Sequence, residues 1–73
     1  MPRLPILSGK EIIKVLNKIG YHEIRQRGSH VRLSCSGKKS ITVPNHKVLG
    51  RSLLRKIIRD AKLSVIELRN LLQ

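Results

Sequence analysis

Three observations predict an α+β fold in which one helix, three strands and two helices follow one another along 73 residues. Two serine–glutamate pairs stand at the spacing that opens a helix. Between them runs a stretch of strict apolar–polar alternation. Glycine or proline marks most of the boundaries. A three-stranded antiparallel sheet with its helices on one face hides the apolar stripes with the fewest elements, and it leaves the other sheet face open to solvent.

The first helix opens at Ser8. Glu11 follows at the capping-box spacing, with Leu7 and Ile12 placed as a hydrophobic staple. Ile12, Val15, Leu16 and Ile19 then recur at helical spacing, and Gly20 can end the helix in the left-handed conformation. Tyr21 is expected to plug the core between this helix and the sheet. Residues 21–27 read as a polar, weakly alternating strand with Ile24 as its main apolar anchor. After Gly28 the alternation is clean: Val31, Leu33 and Cys35 face one way, His30, Arg32 and Ser34 the other. Ser36-Gly37-Lys38-Lys39 supplies a turn, Ile41 and Val43 continue the apolar face, and Pro44 closes the strand. A loop over 45–50 leads to a helical stripe of Leu53, Leu54, Ile57, Ile58 and Ala61. Ser64 and Glu67 repeat the capping box for a short last helix that carries Leu68, Leu71 and Leu72.

Composition limits the function. So short a chain forms one small domain and buries only about 60% of its unfolded surface, so any chemistry must be done by a few surface residues. Sixteen Lys and Arg against four Asp and Glu give a net charge of +12. A small excess would serve solubility, but this one destabilises the compact state by self-repulsion unless an anion offsets it. Nucleic acid is the expected partner. The sequence has no Trp or Phe and one Tyr, which rules out base stacking on several aromatics. Recognition should therefore rest on backbone and shape. A helix-turn-helix reading of the last two helices fails because the final segment is mostly apolar, with few polar side chains to aim at base edges. No apolar run is long enough to cross a bilayer, and no apolar core of a signal peptide follows Arg3. The single Cys35 fits a reducing cytoplasm.

The candidate chemistry lies in histidine. The four acids are Glu11, Glu23, Asp60 and Glu67, and two of them already serve as helix caps. His22, His30, His46 and Cys35 lack zinc-ligand spacing. No metal and no cofactor is expected. His30 opens the alternating strand on its solvent face, directly after Arg27-Gly28-Ser29 and close to Arg25 and Arg32. An imidazole titrates near neutrality and can accept or donate a proton. RNA carries its own nucleophile, the ribose 2′-hydroxyl, so the protein need add only proton transfer and positive charge at the phosphate. The plain alternative, an exposed strand histidine without a role, fits the position equally well. His46, in Pro44-Asn45-His46, is a second candidate that could assist; its plain role is a loop contact. Arg25, Arg27, Gly28, Ser29, Arg32 and Lys47 are the candidate RNA contacts.

At these residues the chain resembles the HicA toxins, small mRNA interferases of type II toxin–antitoxin modules. The resemblance rests on Leu7-Ser8-Gly9-Lys10-Glu11, Leu16 to Gly20-Tyr21, and Arg25-Gln26-Arg27-Gly28-Ser29-His30. It continues through Thr42-Val43-Pro44-Asn45-His46 and Gly50-Arg51-Ser52-Leu53-Leu54-Arg55-Lys56-Ile57. Arg-Gly-Ser-His followed at this distance by Val-Pro-Asn-His is the specific part, while residues 63–73 contribute little. Arg51-Ser52 departs from the family, where a Thr is common after the glycine. The resemblance implies a fold like the double-stranded-RNA-binding domain over residues 1–73. It implies ribonuclease activity centred on His30, with Gly28 shaping the turn beside it. It also implies a HicB-type antitoxin that covers the His30 face. A non-catalytic double-stranded-RNA-binding module is the competing reading, and a subunit of a repressor complex a third.

Overall fold

The computed structural model describes residues 3–73. Its elements run α1 (Gly9–Lys18), β1 (His22–Arg27), β2 (His30–Ser34), β3 (Ile41–Pro44), α2 (Arg51–Asp60) and α3 (Val65–Leu71). The strands form one antiparallel sheet in the order β1-β2-β3. Among the described residues no helix is long and apolar enough to cross a membrane.

Both helix starts behave as the serine–glutamate spacing predicts. Ser8 Oγ accepts from the Glu11 amide at 3.1 Å while Glu11 Oε1 accepts from the Ser8 amide at 3.0 Å. Ser64 and Glu67 repeat the same reciprocal pair. Two of the first-turn amides that a helix leaves orphaned are thereby satisfied in each case. The apolar partners of both staples are engaged: Leu7, Ile12 and Leu68 are buried, and Leu63 packs against them. Helix α2 begins after Gly50 without any side-chain cap.

The core lies between the helices and the inner face of β2 and β3. Val31, Leu33, Ile41 and Val43 are buried there against Ile12, Leu16, Leu54 and Ile57. Tyr21 is 2% exposed, and its hydroxyl donates to the Lys39 carbonyl at 2.8 Å, so the ring plugs the core as expected and also holds the β2–β3 turn. Gly20, at φ +105, terminates α1 in a conformation that side chains resist.

Strand β1 departs from the expected pattern. Every one of its six residues is exposed, and Ile24 is 53% exposed rather than anchored in the core. The strand also carries a β-bulge. The turn sets Arg27 opposite His30 and Arg25 opposite Arg32, but the register then shifts, so that Glu23 instead of Ile24 stands opposite Leu33. The extra residue is Ile24, which the bulge leaves unpaired.

Candidate nucleic-acid interface on the open sheet face

The open face is assembled by the β1–β2 hairpin. Gly28-Ser29 is a two-residue turn in which Gly28 takes φ +55, as a type II′ turn asks of its first central residue. Gln26 Nε2 donates to the Gly28 carbonyl at 3.1 Å and steadies the turn. Directly opposed residues of an antiparallel pair share a face. The register therefore sets Arg27 beside His30 and Arg25 beside Arg32, all on the side away from the helices.

These side chains line a shallow cavity of about 240 Å³, formed by Arg25, Arg27, His30, Arg32 and Thr42. His30 is exposed at its rim, Arg32 and Thr42 half-buried. Arg32 and Thr42 are cross-strand partners. Arg32 Nη1 donates to Thr42 Oγ1 at 2.9 Å, which holds one guanidinium in place beside the imidazole. Three guanidinium groups and no carboxylate surround the cavity, an arrangement suited to a phosphate with its negative charge spread over several oxygens.

The other predicted residues fall outside this cavity. Gly28 and Ser29 shape its edge through the turn, and the Ser29 carbonyl accepts from the Asn45 amide at 2.6 Å. His46 and Lys47 are exposed in the loop after β3 and do not line the cavity. The His46 carbonyl accepts from the Gly9 amide at 2.9 Å, so the backbone at His46 fastens α1 to the end of β3. Thr42 was missed by the sequence reading although the signal was present. With Ile41 and Val43 facing inward, the residue between them must face His30. Among the described residues no three His, Cys, Asp or Glu side chains converge as a metal-binding group would require.

The family model described as the HicA toxin of bacterial toxin–antitoxin systems matches residues 9–63, well over half of the chain. That span runs from the first residue of α1 to just past α2 and includes the whole hairpin. No curated protein matches the chain.

Proposed function

Because the chain belongs to the HicA toxin family and is thus the toxin of a toxin–antitoxin system, we propose that residues 1–73 act as one metal-independent endoribonuclease domain that cleaves mRNA. The observation that supports this reading is an exposed imidazole at the rim of a cavity lined by three arginines.

His30 takes the proton from a ribose 2′-hydroxyl. The freed oxygen attacks the adjacent phosphorus and the bond from phosphorus to the 5′ oxygen breaks. The products are a 2′,3′-cyclic phosphate and a 5′-hydroxyl, whose proton comes from a second donor. A single imidazole cannot accept and donate at the same instant, so His46, a lysine or water completes the cycle. Arg25, Arg27 and Arg32 offset the charge that builds on the phosphate oxygens in the transition state. Gly28 and Ser29 hold the hairpin that sets these groups in register, and Lys47 adds positive charge at the edge. A HicB-type antitoxin silences the chain by covering the His30 face, presenting acidic side chains to the same guanidiniums.

The test is cleavage of labelled RNA by the purified chain in EDTA, with His30→Ala beside it. General acid–base catalysis contributes about 100- to 10,000-fold, so cleavage by His30→Ala should fall by at least about 100-fold while RNA binding persists. Equal cleavage by the variant overturns the role given to His30. Binding without cleavage by the wild type would favour the non-catalytic double-stranded-RNA module.

A further inference from the structure

The cavity at His30 does not end at Arg32 and Thr42. The same two residues line a second depression, which continues over the β3 edge onto α2 at Lys56 and Asp60. Asp60 in turn lines a third, larger depression with Lys38, Lys39, Arg59 and Lys62. The three hollows therefore adjoin, each sharing at least one residue with the next. The third is held in shape by Tyr21, whose hydroxyl is bonded to the Lys39 carbonyl.

We propose that this is the path of the RNA strand. A strand seated at His30 leaves the open sheet face over the Arg32–Thr42 pair and passes Lys56. It then enters the hollow between the β2–β3 turn and the end of α2. The inference rests on the ribonuclease reading for its starting point and adds the direction in which the substrate runs.

Charge supports a nucleic-acid strand over a protein segment. Asp60 is the one acid along the three hollows. None of the four exposed large apolar side chains, Ile6, Ile24, Val48 and Ile66, lines them. The contrast is a groove elsewhere on the molecule, where Arg3, Arg51 and Arg55 surround Leu4, Val65 and the 57% exposed Ile66. That groove shares no residue with the His30 cavity. Nor does it share a residue with either of the other two hollows, so it lies off any strand that runs on from His30.

Helix α2 permits a matched test, because it carries two arginines into the remote groove and two cations onto the proposed path. Lys56→Gln with Arg59→Gln and Arg51→Gln with Arg55→Gln each remove two positive charges from the same helix. Binding of a labelled single-stranded RNA oligonucleotide is measured for both over a range of salt, with cleavage recorded in parallel. Each phosphate contact contributes about 0.7 to the salt slope on a single strand. The Lys56/Arg59 double should weaken binding by about tenfold and flatten the slope by about 1.4, twice or more the change in the Arg51/Arg55 double. Asp60→Asn should tighten binding by about threefold as its repulsion is removed. Equal losses in the two doubles, or a larger loss in the Arg51/Arg55 double, overturn the path. The two readings separate cleanly. If the wild type cleaves and the doubles are equal, the path alone falls. If the doubles separate as stated and no cleavage occurs, the path stands and the ribonuclease reading falls.

Discussion

Gly9 is the first helical residue of α1 and is buried against the end of β3. A Cβ there would overlap the Pro44 carbonyl oxygen and lie 2.9 Å from Asn45 Cα. Both are backbone atoms and cannot rotate away, so Gly9→Ala must push the helix off the strand. Overpacking of this kind costs about 1–3 kcal/mol. Stretching the Gly9–His46 backbone bond adds about 1 kcal/mol. Against this, alanine is favoured over glycine inside a helix by at most about 1 kcal/mol. The net loss is about 2 kcal/mol from a total near 4–11 kcal/mol for a chain of this size. Domains of this length lose about 4–8 °C of Tm per kcal/mol, so Tm should drop by about 8–16 °C in thermal melts followed by far-ultraviolet circular dichroism. Gly50→Ser is the control. Gly50 has ordinary extended dihedrals, φ −62 and ψ 152, and open space where a Cβ would go. Serine there supplies the missing cap of α2, so Tm should hold or rise by a few degrees. A Gly9→Ala melt at or above wild type would refute the close-approach argument.

Three further outcomes follow from the packing and from two perturbed groups. Ile24→Ala should change stability by no more than about 0.5 kcal/mol, whereas Leu33→Ala, fully buried in the adjacent strand, should cost about 2–5 kcal/mol; denaturant melts of the two compare them directly. Burial, then the neighbouring Cys35 and Asp60 charges, raise the Tyr21 phenol above its ordinary 10.0. The folded state holds that proton more tightly, so this stability is present below pH 10.0 and is lost as pH rises through the raised value. Tyr21→Phe should remove this component from the alkaline unfolding curve, and tyrosinate absorbance should rise together with unfolding in the wild type. The Ser64 backbone amide, then the Ser64 side chain, hold the Glu67 carboxyl below its ordinary 4.5. Its contribution is present above that value and lost as pH falls through the lowered one, so Glu67→Gln should flatten the acid limb of the stability–pH curve.

Local chemistry made most of the fold legible. The capping boxes at Ser8 and Ser64 need only residues three apart, and the alternation from His30 to Val43 reports its own faces. The cluster of Arg25, Arg27 and Arg32 around His30 was readable because a two-residue turn sets the register across it. The bulge at Ile24 was not, since an isoleucine in a strand reads as an anchor unless the number of paired residues on both strands is known. Gly9 carries no sign in the sequence that a carbonyl from residue 44 lies where its side chain would be. His46 and Lys47 were singled out beside His30 for their chemistry, yet neither lines the cavity. The link from Arg32 to Lys56 is tertiary and depends on how α2 lies along β3.

The segment after β3 is fastened at three places: Asn45 to Ser29, His46 to Gly9, and Leu49 to Leu7, all through backbone bonds of 2.6–2.9 Å. Such a segment has given up its conformational entropy during folding. A ligand or inhibitor that touches it meets a rigid rim and need not spend binding energy on freezing it. Association at this edge should therefore behave as contact between preformed surfaces, fast and weakly dependent on temperature, with no slow ordering phase in the kinetics.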